Sequence, residues 1–187
     1  MSEASPKVRI LVVEDSPEDF ELLEHALRGA GLDCSLERVE TEAELARALA
    51  DPGLDLVLSD FRLLGFDALT VLERVRELAP DVPVVVVTGS IDEETAVSCM
   101  RSGAADYVLK ERLSRLAPRV EAVLEARRLR LEVRAGERRL FDSASRFREL
   151  VEQIDDVIFE TVLGGEIAYV SPAVETLAGF LPGEVVG

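Results

Sequence analysis

The stretch Leu54-Asp55-Leu56-Val57-Leu58-Ser59-Asp60 decides the reading of this chain. An apolar run closes on a carboxylate, as expected of a buried parallel strand that ends in a loop. In open α/β sheets, ligands and chemistry gather at that carboxyl edge. Two other runs end with matching equipment. Lys7-Val8-Arg9-Ile10-Leu11-Val12-Val13 leads into Glu14-Asp15, and Asp106-Tyr107-Val108-Leu109 leads into Lys110.

Outward from this stretch, the sequence alternates between two periodicities. Strands are predicted over 8–13, 33–39, 54–59, 82–87 and 106–109, with the β-branched run Val84-Val85-Val86-Val87 inside the fourth. Helices are predicted over 17–29, 42–49, 67–78 and 93–101. Five strands joined by helical crossovers give one doubly wound α/β domain. Ser16, Pro17 and Asp19 read as an N-cap, a first-turn proline and an acid at N3, and Thr41 with Glu44 repeats a capping box. Gly29 or Gly31 ends the first helix, and Pro80 stops the third.

A long helix is expected from near Leu113, with Pro118 either confined to its first turns or marking a break. Leu116, Val120, Val123, Leu124 and Arg127 form its packed face, and a thinner line through Leu131 and Arg134 turns it into a connector. A two-stranded coiled coil and a solvated single helix are the two readings of that connector. A break is predicted at Asp142-Ser143-Ala144-Ser145, followed by helical spacing over 147–154. Strands over 157–161 and 167–170 flank Gly164-Gly165 as a hairpin, and helix resumes at Pro172. One hairpin offers too little sheet for a core, so this second module is expected to be incomplete.

Composition narrows the function. The 48% hydrophobic content supports a packed core, yet no stretch approaches the roughly 18 apolar residues of a membrane span. The start, Met-Ser-Glu-Ala-Ser-Pro-Lys, lacks the pattern of a secretory signal, and a cytoplasmic location is expected. A net charge of -16 disfavours nucleic acid as a partner. Arginines between 119 and 139 alternate with glutamates, as in a self-paired helix. His25 is the sole histidine, which removes Ser-His-Asp catalysis and multi-histidine zinc sites. Cys34 and Cys99 lack metal-ligand spacing and read as small buried hydrophobes.

Glu14, Asp15 and Asp60 at neighbouring strand ends would share one cleft, where crowded carboxylates need a cation or a proton. An oxygen-rich pocket suits Mg²⁺, with Mn²⁺ as the alternative ion. A solvent-facing acid cluster without function is the competing view. Asp60 is the candidate nucleophile, forming an acyl phosphate, with Lys110 neutralising a phosphoryl oxygen or pairing with Asp60 beforehand. Thr88, after the valine-rich strand, offers a hydroxyl to the same phosphoryl group. Tyr107 would rotate inward when Thr88 moves, or else be a boundary aromatic against the fourth helix.

These residues, in this order, resemble the response-regulator receiver family over roughly residues 7–125. The resemblance implies a flavodoxin-like parallel sheet of order 2-1-3-4-5. It also implies Mg²⁺ held by Asp15, Asp60, the Arg62 carbonyl and, through water, Glu14. Asp60 would take phosphate from the phosphohistidine of a histidine kinase or histidine phosphotransfer protein, with Thr88 and Lys110 as contacts and Thr88 with Tyr107 as the switch. The surface of the fourth helix, fifth strand and fifth helix would serve output and homodimer formation. Two departures touch the loops: Glu111 stands where proline commonly follows the lysine, and Leu64 where proline is common after Asp60. A trans bond at Glu111 is therefore the default. Arg62 and Ser90 border the site and would tune water access.

The later segment resembles the opening of a PAS sensory domain. The resemblance rests on Asp156-Val157-Ile158-Phe159-Glu160, Gly165-Glu166-Ile167-Ala168-Tyr169-Val170-Ser171-Pro172-Ala173 and Leu177-Ala178-Gly179-Phe180. It implies a receiver over 7–125, a linker helix over 126–145 and less than half of a PAS domain over 146–187. Such an arrangement belongs to receiver-PAS signalling proteins, hybrid histidine kinases among them. No haem or flavin is assigned, and no kinase activity is expected of these residues. The expected function is a phosphorelay receiver whose chemistry is confined to phosphorylation and dephosphorylation of Asp60. The alternatives are a phosphate-independent docking module and a metal-dependent phosphohydrolase. The hydrolase lacks its usual second acid, because Arg62 stands two residues after Asp60.

Overall fold

The computed structural model describes residues 7–89, 93–154 and 156–186. The chain divides into two compact units, one ending at Arg130 and the other beginning at Leu131. In the first, strands β1 (Val8–Val13), β2 (Cys34–Val39), β3 (Leu56–Asp60), β4 (Val84–Thr88) and β5 (Asp106–Leu109) form one parallel sheet in the order β2-β1-β3-β4-β5. Between them run helices α1 (Pro17–Gly29), α2 (Glu42–Leu49), α3 (Ala68–Leu78) and α4 (Glu93–Arg101). The doubly wound sheet expected from the alternation is therefore present, in the flavodoxin-like order that the family resemblance implies.

The period of two along each strand divides the core between the sheet's faces. Ile10 and Val12 of β1, with Leu56, Leu58, Val85 and Val87, pack on one face against Leu23 and Leu27 of α1. Leu116, Ala117 and Val120 complete that layer from the long helix α5 (Leu116–Glu152). Leu11, Val13, Val57, Val84 and Val86 point the other way, onto Leu45 and Leu49 of α2, Val71, Leu72 and Val75 of α3, and Cys99 of α4. Cys34 and Cys99 are both buried and free, filling the hydrophobe role assigned to them.

Strand boundaries shift where backbone chemistry demands it. Pro83 has no N–H to give, and β4 starts at Val84; its Pro83 carbonyl instead accepts the Val57 amide at 2.9 Å. β3 runs one residue further than predicted, so Asp60 is its last member and pairs in register with Val87. Asp67 is the N-cap of α3 rather than its first residue; its carboxylate accepts the Thr70 amide at 3.0 Å. A 3₁₀ turn over Lys110–Arg115 separates β5 from α5, which places the start of the long helix at Leu116 and Pro118 within its first turn.

The predicted break at Asp142-Ser143-Ala144-Ser145 is not there: α5 continues unbroken from Leu116 to Glu152. None of the four is glycine or proline. Asp and Ser cost a helix only about half a kcal/mol each, and Ala favours it. The N-terminal part of α5 is tied down by Arg127, which donates to the Asp81 carbonyl at 3.0 Å, the Leu54 carbonyl at 3.1 Å and Asp55 Oδ1 at 2.7 Å.

In the second unit, β6 (Phe159–Thr161) and β7 (Ile167–Val170) pair antiparallel around Gly164-Gly165, with Gly165 at φ +87° in the turn. Ser171, fully buried, fastens the hairpin's base: its amide donates to the Ile158 carbonyl at 2.7 Å and its hydroxyl accepts the Ile158 amide at 3.0 Å. Two short helices follow, α6 (Ala173–Ala178) and α7 (Pro182–Val185), the former closed by Gly179 at φ +77°. Among the described residues, no helix is long and apolar enough to cross a membrane.

Candidate functional site

The site is built by adjacent strand ends. β1 and β3 pair directly, which brings Glu14 and Asp15 beside Asp60, and one carboxylate oxygen from each lies within 4.8 Å of the others. Three hard oxygen donors this close can hold a divalent cation, and the chemistry of the set fits Mg²⁺ or Mn²⁺ better than a softer metal.

Lys110 enters from the end of β5. Its ammonium donates to Glu14 Oε2 at 2.8 Å, Asp60 Oδ2 at 3.0 Å and Asp19 Oδ2 at 2.6 Å. The pairing with Asp60 was expected; Asp19 was not. The first turn of α1 places that acid over the cleft. Its only trace in the sequence is an N3 carboxylate four residues after Asp15.

Glu14 is the most enclosed member, 1% exposed. Its Oε1 accepts the Ser16 amide at 3.1 Å while Oε2 faces Lys110. Burial pushes the Glu14 carboxyl above the usual carboxylate range, against the lowering pull of Lys110 and the Ser16 amide. Burial would lower the Lys110 ammonium, but the hydrogen bonds to Asp19, Glu14 and Asp60 outweigh it and hold the lysine well above its ordinary value. Lys110 is thus a fixed positive charge at the centre of the cleft.

Asp60 is oriented from its own strand end. The Phe61 amide donates to Asp60 Oδ1 at 2.6 Å, leaving Oδ2 turned to Lys110, and the Ser59 hydroxyl donates to the Asp60 carbonyl at 2.8 Å. With its side chain 15% exposed, Asp60 remains open to a small reagent. Arg38, on β2, is a further residue that sequence reasoning passed over. It donates to the backbone carbonyls of Glu14 and Asp15, each at 3.3 Å, and braces the acidic turn from behind.

Thr88 closes β4 and is buried, paired in register with Leu109 one residue before the lysine. Tyr107 faces outward at 39% exposed, over a cavity of about 270 Å³ that it shares with Arg112, Arg115 and Arg119. Arg62 is exposed and bridges to Asp67, and the turn between them uses Gly65 at φ +94°, with Leu64 exposed. Ser90 lies outside the described residues. No cis peptide bond occurs among the described residues, in line with the trans default at Glu111.

Comparison with known proteins bears on this geometry. The family model for the response regulator receiver domain matches residues 10–121. The chain is 40% identical over 101 residues to the DNA-binding transcriptional regulator NtrC of Escherichia coli (strain K12), covering 54% of this chain and 21% of that protein. Over 104 residues it is 35% identical to the transcriptional regulatory protein ZraR of Salmonella typhimurium, covering 56% of this chain and 23% of the relative. The chain thus spans about a fifth of the length of these curated relatives. Among solved structures, a response regulator from Thermotoga maritima superposes with a TM-score of 0.57 at 28% identity, over 64% of this chain and 98% of that one.

Proposed function

Because the chain belongs to the response regulator receiver domain family, we propose that Asp60 is its phosphoacceptor and that the acceptor reaction is a transfer from phosphohistidine. The observation that carries this reading is the placement of Lys110 Nζ 3.0 Å from Asp60 Oδ2, inside a cleft that also holds Glu14 and Asp15. Asp60 Oδ2 attacks phosphorus, a P–O bond forms as the P–N bond of the donor imidazole breaks, and the electron pair leaves with the imidazole nitrogen. The Phe61 amide fixes the other carboxylate oxygen, so the attacking one is presented in a defined direction.

Lys110 supplies positive charge where phosphoryl charge accumulates, and the buried Thr88 hydroxyl is the proposed second contact. Glu14, Asp15, Asp60 and the Arg62 carbonyl are the groups that would hold Mg²⁺. When bound, the ion supplies neutralisation of the phosphoryl oxygens. Thr88 and Tyr107 are the proposed switch pair: the outward Tyr107 ring has room to change position when a phosphoryl group draws on Thr88. Histidine kinases or histidine phosphotransfer proteins are the corresponding partners.

Phosphoramidate, whose P–N bond stands in for phosphohistidine, tests the reading. In Mg²⁺ it should phosphorylate the wild-type chain once per molecule and leave Asp60→Asn unlabelled. Continuous turnover of a phosphomonoester would instead support a phosphohydrolase, and no labelling at all a docking module.

For residues 146–187 we propose the first part of a PAS sensory fold, with 126–145 as a linker helix. The reading is supported by the β6–β7 hairpin and by the Ser171 lock at its base. Leu129, Val133 and Leu140 of α5 are exposed, which supports homodimer formation along that helix. Light scattering across a concentration series checks the dimer, and a monomer throughout would reject it.

A further inference from the structure

Helices α1 and α2, each opened by a hydroxyl N-cap with an acid at N3, use the same starting motif differently. In α2 the acid at N3 closes the cap: Glu44 Oε2 accepts the amides of Glu40 at 3.0 Å and Thr41 at 3.3 Å, while Thr41 Oγ1 accepts the Glu44 amide. α1 opens the same way, with Ser16 Oγ accepting the Asp19 amide at 3.2 Å. The reciprocal half is missing, because the Ser16 amide is already taken by Glu14 Oε1. The N3 carboxylate is therefore not spent on the helix end. It lies across the cleft on Lys110 at 2.6 Å, nearer than either Glu14 or Asp60.

We propose that Asp19 is a positioning residue that competes with the phosphoryl group for Lys110, holding the ammonium in the resting state and yielding it when Asp60 is phosphorylated. The proposal rests on the reading of Asp60 as the phosphoacceptor. A lysine ammonium has three protons to donate, and Glu14, Asp19 and Asp60 each accept from it. A phosphoryl oxygen gains Lys110 only by displacing one of them. Glu14 is 1% exposed, so its Oε2 cannot turn to water in place of the lysine; Asp60 Oδ2 gives up its own contact on modification, but the phosphoryl group brings several charged oxygens to be satisfied. The Asp19 side chain, 34% exposed, is the partner that water resolvates at least cost. Its negative charge also opposes the phosphoryl dianion arriving at Asp60. Asp19 therefore sets how readily the acyl phosphate forms without touching the reacting atoms.

The sign of the effect separates this role from a structural one. Calorimetric titration of the full chain with beryllofluoride at saturating Mg²⁺ should give Asp19→Asn an affinity about 3- to 10-fold higher than wild type, the scale of one charge-assisted hydrogen bond in a partly exposed setting. Asp19→Glu, which restores the carboxylate, should return toward wild type. Damage to α1 would act in the opposite direction, weakening beryllofluoride binding and lowering the unfolding temperature together. If wild type binds beryllofluoride no better than Asp60→Asn, the phosphoacceptor reading fails and takes this proposal with it. If wild type binds and Asp19→Asn binds equally or more weakly, the competition is refuted while the phosphoacceptor reading stands.

Discussion

Lys110 Nζ and Asp60 Oδ2 lie 3.0 Å apart across the width of β4, bringing together residues 50 positions apart in the chain. The contact exists because β3 and β5 flank β4 in register, so their ends open on the same edge. Its stability consequence is direct. Lys110→Met leaves Glu14, Asp19 and Asp60 facing one another without a cation. The variant should lose about 2–4 kcal/mol in urea unfolding without divalent ions. Millimolar Mg²⁺ should restore more stability to the variant than it adds to wild type, since the ion replaces the missing charge. Equal Mg²⁺ effects on both would count against a shared cation site.

Glu14 gives a pH signature of opposite sign to the usual carboxylate. Burial raises its folded-state value above that of the unfolded chain, so the folded protein binds the extra proton between the two. Its contribution is therefore unfavourable. It is absent below the ordinary carboxylate range near about 4.3, grows as pH rises toward the folded value, and is complete above it. Glu14→Gln removes that slope while Lys110 keeps Asp19 and Asp60 as partners. Denaturant melts at a series of pH values should show the variant's stability relative to wild type improving from pH 4 to pH 7. A relative stability that worsens over the same range would contradict the assignment.

Much of this was readable from residues alone, and the reasons are specific. The sheet was legible because β1, β3 and β4 are buried on both faces and have to be written as continuous apolar runs. Asp60 and Glu14 were legible because each ends or directly follows such a run, and Lys110 because it follows the short run of β5. Asp19 was not, because an acid at N3 is the ordinary mark of a helix cap. Only the three-dimensional fact that Glu14 occupies the Ser16 amide frees it for another task. Arg38 was hidden for a related reason: its partners at the acidic turn are backbone carbonyls, which carry no sequence signature. The unbroken course of α5 through residues 142–145 was missed because polar, small residues between apolar ones read as a loop unless glycine or proline is demanded for the break.

Arg127 joins α5 to the opposite edge of the sheet, where it meets Leu54, Asp55 and Asp81. Asp55 in turn accepts the Arg9 amide at 3.0 Å, so one carboxylate links β1 to the helix. Arg127→Ala should cost about 1–3 kcal/mol of receiver stability through the loss of its hydrogen bonds to Leu54, Asp55 and Asp81. Arg127→Lys should recover only part, since a single ammonium cannot span the three acceptors that the guanidinium fork reaches. Urea unfolding of both variants checks the order, and full recovery by lysine would show that charge alone matters.

Phosphoacceptor chemistry at Asp60 leaves one diagnostic product, an acyl phosphate on its carboxylate. The most direct measurement treats the chain with phosphoramidate and Mg²⁺, traps the acyl phosphate by borohydride reduction and maps the reduced side chain by peptide mass spectrometry. Reduction should fall on Asp60 alone, with none in Asp60→Asn or without the metal. Reduction at another carboxylate, or undiminished labelling of the Asp60→Asn variant, would contradict that chemistry.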